Sequence, residues 1–276
     1  MNNCKYTQNN KELIFNNCRQ KAFLSFEKTL DSLYGKDNIT EIEFQKEWFK
    51  NLEQEENVIA DGWYNPPPYG MAVLFGDRVS FDSLRNEDNW PKDIIIDWKK
   101  DLMYAYCSPV DKQTGIIGDM SITLYFGKDK RILNHMNNCH NAVKEIFDNL
   151  NNIKDSYSLF DLSEKIFEKH KLKNCVVSKT DNTPLDLGHT FPRLENIKNK
   201  LEDEDIKMIS KSRKFINKNT NWEIKDTMQF TIEPQLISIE DESLPQISQH
   251  YLIQKSSDGY IICNDIDEII QKTLKF

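Results

Sequence analysis

Three short passages place an acidic or imidazole side chain inside an apolar run or beside a tight turn. They are Ile117-Gly118-Asp119-Met120-Ser121-Ile122, Leu187-Gly188-His189-Thr190-Phe191 and Phe230-Thr231-Ile232-Glu233-Pro234. A carboxylate set in a strand costs free energy unless it is paired, hydrogen-bonded or bound to a metal. Taken singly, the three suit a turn Asp, a satisfied His and an edge-strand Glu ahead of Pro. Taken together, Asp119 and Glu233 with His189 are candidates for proton transfer or for holding a cation. The remaining histidines read differently. His135, His140 and His170 fall in helical stretches beside Asn and Lys and are expected on the surface. His250 follows Gln249 and should point to the opposite side of its strand.

The elements that must carry these residues alternate in type along the chain. Apolar positions at helical spacing from Leu13 to Leu33 predict a helix over 11–34. Thr40 with Glu43 forms a capping box that opens a second helix. Gly62 and Pro66-Pro67-Pro68 require an extended loop. Strands are expected over 71–75, 94–98 and 102–107, and Lys112-Gln113-Thr114-Gly115 reads as the turn of a hairpin returning over 117–126. Helices follow over 130–150 and after a cap at Ser158 with Asp161. The second half repeats the rhythm, with strands at 175–178, 228–239, 251–254 and 260–263. A charged stretch covers 194–219, and a short helix is capped by Asn264 with Asp267. Helices on one face of a largely antiparallel sheet make this an α+β architecture. No linker of disorder-like composition intervenes, which predicts one domain over 1–276 with lobes at about 20–150 and 151–276.

Composition removes several function classes. The 276 residues carry a formal charge of −8, which argues against a nucleic-acid binder. Nine Gly, and the lack of GxxxxGK[ST] or GxGxxG, leave no phosphate-binding loop. The six Cys contain no CxxC pair and read as reduced thiols. No apolar run approaches the roughly 20 residues of a membrane span, and the start MNNCKYTQNNKE has no signal-peptide core, so no membrane association and a cytoplasmic location are expected.

The three passages resemble the methionine aminopeptidase, prolidase and creatinase superfamily, whose fold is called pita-bread. FTIEP at 230–234 is similar to the family's strand before its penultimate ligand, and Gly188-His189 to its G-H turn. Gly118-Asp119, with Phe126-Gly127 after it, is similar to its second-aspartate strand. The resemblance spans about 20–276 and implies two lobes around a cleft. In that family two metals are bridged by Asp, Asp, His, Glu and Glu. Here the resemblance assigns Asp119, His189 and Glu233 to three of those positions, whereas the first Asp falls on Ser108 and the last Glu on Gln249. Losing two carboxylates removes the charge that offsets repulsion between two cations. The implied site therefore holds one divalent transition metal, Fe, Mn or Zn, on Asp119, His189 and Glu233, helped by Gln249.

Asp119 and Glu233 are the expected catalytic groups. Ser108, Arg193 and Tyr251 are the expected substrate contacts, Arg193 through a bidentate grip on a carboxylate. The expected partner is a small amino-acid-like molecule or short peptide, and the resemblance makes a homodimer plausible. The reaction would be hydrolysis of an amide or C–N bond, or oxidation were the metal Fe(II). The alternative is a metal-free pseudopeptidase or binding module.

Overall fold

The computed structural model describes residues 17–64, 67–176, 185–192, 194, 200–263 and 265–273. It opens with α1 (Asn17–Leu33) and α2 (Glu41–Glu53), whose buried faces meet through an aromatic group. Phe26 sits edge-on to Trp48 with ring centroids 4.9 Å apart. The polar groups caught in this contact find partners, as burial demands. Trp48 Nε1 donates to Ser25 Oγ at 3.1 Å, and Asn51 Nδ2 to Thr29 Oγ1 at 2.9 Å. The capping box at Thr40 and Glu43 forms in both directions. Glu41 is buried, and its carboxylate accepts the backbone N–H groups of Phe75 at 2.8 Å and Lys92 at 2.9 Å, with Arg78 at 3.5 Å.

After β1 (Val58–Ile59) come β2 (Met71–Phe75), β3 (Leu102–Cys107), β4 (Val110–Asp111) and β5 (Met120–Tyr125). Antiparallel pairing in the order β2-β3-β5 sets Tyr106 opposite Ser121 and Cys107 opposite Met120. Gly118 N–H reaches Pro109 O at 2.6 Å, so Ser108 lies opposite Asp119. With side chains alternating along each strand, Tyr104, Tyr106, Asp119 and Ser121 line one cavity.

α3 (Lys130–Asn149), α4 (Ser156–Lys169), β6 (Leu172–Asn174) and α5 (Asp203–Ser212) lead into β7 (Gln229–Ile232), β8 (Gln235–Ser238) and β9 (Ile247–Ser248). β10 (Tyr251–Ser256), β11 (Gly259–Ile262) and α6 (Asp265–Thr273) end the described chain. Two three-stranded antiparallel sheets result, β11-β10-β7 and β6-β8-β9. The seam to the first lobe runs between β5 and β9. There Ser121 and Ser248 share a hydroxyl contact at 3.0 Å, Ser248 N–H donates to Thr123 Oγ1 at 2.9 Å, and Ile122 bridges Gln249.

Three local expectations change. Residues 94–98 form no strand: Ile94 and Ile95 are exposed, and among the described residues the backbone pairing of the segment is with 39–41, through Glu41 N–H to Ile94 O at 3.1 Å and Ile96 N–H to Ile39 O at 2.8 Å. The cap of α4 is Asp155, whose Oδ1 accepts Ser158 N–H at 2.8 Å, so the helix begins ahead of Ser158. The strand expected at 175–178 lies earlier, at β6, with 177 and 178 outside the described residues. Residues 11–16 and Asn264 also lie outside them. No helix among the described residues is long and apolar enough to cross a membrane.

Candidate functional site

Four segments converge at the cleft. Asp119 enters from the head of β5, and Glu233 from the residue after β7. His189 and Arg213 come from two loops that pair with each other: Thr190 N–H donates to Lys214 O and Lys214 N–H to Thr190 Oγ1, both at 3.0 Å. The His189 turn is pinned to β7 by Thr231, whose Oγ1 accepts His189 N–H at 2.9 Å and whose own N–H reaches His189 O at 2.8 Å. Glu233 N–H closes the same strip on Leu187 O at 2.8 Å. Gly188 runs against this strand at φ +158, and a Cβ there would meet Thr231 O at 2.2 Å.

The side chains form a chain of short contacts. Asp119 Oδ1 accepts Trp63 Nε1–H at 2.5 Å, and its Oδ2 is 3.7 Å from His189 Nε2. That nitrogen is 3.4 Å from Glu233 Oε1, while Glu233 Oε2 is 3.3 Å from His250 Nδ1. His189 Nδ1 lies 3.0 Å from Thr190 O. A carbonyl accepts only, so Nδ1 carries the proton and the Nε2 lone pair faces both carboxyl groups. Arg213 sits beside them, its Cζ 4.2 Å over the Trp63 ring and 5.1 Å from the Phe215 ring, a cation held by two aromatic faces. Asp119, His189, Arg213 and Glu233 line one cavity of about 140 Å³, with Phe81, Leu84 and Arg85 also on its wall.

Electrostatics follow from burial. Burial pushes the Asp119 carboxyl up to about 7, against the lowering pull of the Trp63 N–H and the charges of Arg213 and Arg19. Glu233 is raised well above the carboxylate range by burial, then by the Asp186 and Asp119 charges, with Arg213 opposing. His189 falls to about 3, through burial first and the Arg213 charge second, and is neutral at physiological pH. Asp119 then makes stability depend on pH. A buried acid raised from 3.8 to about 7 contributes stability that is complete below 3.8 and lost as pH rises through 7. Asp119→Asn is therefore expected to raise the melting temperature at pH 8. The gain should shrink steadily toward pH 4 in a series of thermal melts, and a gain independent of pH would contradict this origin.

No protein-family model matches the chain, and no curated protein matches it. Solved structures do. An X-Pro aminopeptidase from Thermotoga maritima MSB8 superposes with a TM-score of 0.58 at 12% identity, covering 89% of this chain and 58% of that one. The prolidase from Pyrococcus horikoshii OT3 gives 0.60 at 12%, covering 89% and 59%. A methionine aminopeptidase from Rickettsia prowazekii gives 0.56 at 16%, covering 89% and 94%. The chain has the pita-bread fold. It spans under two thirds of the X-Pro aminopeptidase and the prolidase, and nearly all of the methionine aminopeptidase.

Within this pita-bread cleft, Asp119, His189 and Glu233 come together. Ser108 does not line the cavity; its Oγ accepts Tyr64 N–H at 3.1 Å and donates to Gly70 O at 3.3 Å, serving the loop. Tyr251 is turned toward the helices, where its hydroxyl donates to Asp267 at 2.9 Å and meets His140 Nδ1 at 3.2 Å. As a substrate contact it is corrected, because alternation in β10 commits its ring to Phe147. Arg193 lies outside the described residues. Gln249 is buried beside the site, its N–H on Pro234 O at 3.2 Å and its Oε1 without a hydrogen-bond partner among the described residues.

His250 does not point away. Residues 249–250 precede β10, so strand alternation does not govern them. His135 is buried rather than on the surface, with Nε2 2.9 Å from Pro245 O. Arg213 and Asp186 went unnoticed in the sequence. Asp186 had a signal, lying just ahead of the Gly188-His189 turn; Arg213 was hidden in a charged stretch.

Asp119 Oδ2, His189 Nε2 and Glu233 Oε1 have suitable donor chemistry for a metal. Among the described residues these donors form no ready metal cluster, and a permanent cation already lines the same cavity. The positive charge of Arg213 beside these donors works against a divalent ion.

Proposed function

We propose that the cleft binds a small amino-bearing molecule, an amino-acid derivative or the first residue of a short peptide, with Asp119 and Glu233 receiving its ammonium group. The observation that carries this reading is the convergence of two buried carboxyl groups and the His189 lone pair in a cavity of about 140 Å³. Burial holds both carboxyls toward their neutral forms, and a cationic ligand group is what relieves that cost. Arg213 and Arg85 on the same wall offer partners for a ligand carboxylate or carbonyl oxygen. A carboxyl titrating near 7 also suits proton exchange at neutral pH, so hydrolysis of an amide or C–N bond is the reaction class this pocket supports. The peptidase names of the structural neighbours agree with an amino-terminal ligand.

The test is calorimetry and thermal shift with L-alaninamide and alanyl-alanine, each against its N-acetyl form. Free-amine compounds should bind at least tenfold more tightly than acetylated ones, a difference of about 1.4 kcal/mol. Equal binding of the acetylated forms, or no binding of the amines, overturns the reading. A second reading keeps one divalent transition metal, Fe, Mn or Zn. The unpartnered Gln249 Oε1 beside three converging donors favours it, and Arg213 opposes it. Elemental analysis of the purified protein separates the two.

A further inference from the structure

We propose that the guanidinium of Arg213 is the resident cation of this cleft and excludes a divalent metal from the Asp119, His189 and Glu233 donors. The inference rests on the pocket identified above, and it concerns what neutralises that pocket rather than what the pocket binds. Arg213 lines the same cavity as all three donors. Its place is built. The Trp63 ring covers the guanidinium at 4.2 Å, Phe215 lies 5.1 Å away, and its Nε is shielded from solvent. The next residue, Lys214, is bonded through both its N–H and its carbonyl to Thr190, which follows His189. The cation is thus tethered to the imidazole's own turn.

Trp63 ties this charge to the carboxylate as well. The indole that stacks on Arg213 donates its N–H to Asp119 Oδ1, so that oxygen is committed to a neutral donor. The Arg213 charge acts on Asp119, Glu233 and His189 alike. A guanidinium does not lose its proton in a protein, so the charge is permanent. A divalent ion among the three donors would sit beside a fixed positive charge in a low-dielectric cleft, with Ser108 and Gln249 supplying no extra negative charge to hold it.

The experiment compares wild type, Arg213→Met, Arg213→Gln and Arg213→Lys after chelator treatment, with Co(II) absorption and Zn(II) calorimetry as readouts and near-ultraviolet dichroism to verify folding. Wild type and Arg213→Lys are expected to show no stoichiometric uptake. The neutral variants should gain one ion, bound at least tenfold more tightly than in wild type, and lose it again when His189→Ala is added. One Co(II) bound by wild type and lost in His189→Ala overturns the proposal, as does a folded neutral variant that takes up none. Neutral variants that both fail to fold while Arg213→Lys folds support the resident charge. The two readings fail separately. Amine binding by a protein that also carries stoichiometric metal sinks the resident cation alone, whereas metal gain by Arg213→Met with no amine binding in wild type sinks the amine pocket alone.

Discussion

Arg19→Met is expected to lower stability by about 3–5 kcal/mol, the usual cost of removing one partner from a buried ion pair. At roughly 2–4 °C per kcal/mol for a chain of this size, the melting temperature should fall by roughly 6–20 °C. Arg19 is wholly buried, and its guanidinium is spent on four acceptors. Nε donates to Asp265 Oδ2 at 3.0 Å, Nη2 reaches Asp265 Oδ1 at 3.4 Å, and two further N–H groups bind the backbone carbonyls of Asp119 and His250. Met matches the length of the stem, so the loss falls on the guanidinium charge, its hydrogen bonds and its place 4.9 Å over the Phe23 ring. It leaves the Asp265 carboxylate and two buried carbonyls without their donor, which is costlier than never having had the pair. Denaturant melts of Arg19→Met and of Arg19→Met with Asp265→Leu check the argument. The double variant should recover part of the loss, and a single variant within about 1 kcal/mol of wild type would refute the tie.

Gly188→Ala is the second large effect. Its Cβ would lie 2.2 Å from Thr231 O and 2.6 Å from Thr231 Oγ1, at a φ of +158 that side chains rarely adopt. Backbone strain and overpacking together cost about 2–4 kcal/mol. The relief available is to push the His189 turn off β7, which breaks the Thr231 bonds that aim the imidazole. Loss of amine binding should therefore accompany the loss of stability. Gly35→Ala is the control, since Gly35 has φ +73 but a Cβ there would meet nothing within 4 Å, so only the backbone cost applies. Equal effects at the two glycines, measured by thermal melts, would show that the close approach to Thr231 does not matter.

The parts of the fold that were legible in the sequence are those set by local rules. The Thr40 and Glu43 box is reciprocal side-chain chemistry within one turn, and the 112–115 turn fixes the β3–β5 hairpin in register, so Asp119 could be placed. The Leu187 to Phe191 and Phe230 to Pro234 passages each carry their ligand-like residue at a turn or strand end, where neighbours in sequence settle the direction. What stayed hidden depended on contacts remote in sequence. Ile94 to Trp98 has strand composition, but among the described residues it pairs with 39–41 ahead of α2 and with no strand. Arg19 and Arg213 look like surface residues in helical or charged stretches, and only tertiary packing carries one under Asp119 and the other over Trp63. His250 follows no period because its strand begins one residue later.

The position of Trp63 also makes the pocket visible to light. An indole with its N–H on a carboxylate at 2.5 Å and its face under a guanidinium at 4.2 Å has an excited state sensitive to both charges. Its ring is almost wholly shielded from solvent, so its emission reports the charges on Asp119 and Arg213 rather than the bulk medium. Subtracting the spectrum of Trp63→Phe from that of the intact chain leaves the signal of this one ring, and protonation of Asp119 or arrival of a ligand ammonium group is read as a change in its intensity or colour. The residue that touches both charged groups is thereby an intrinsic fluorophore for occupancy, with no label attached to the molecule.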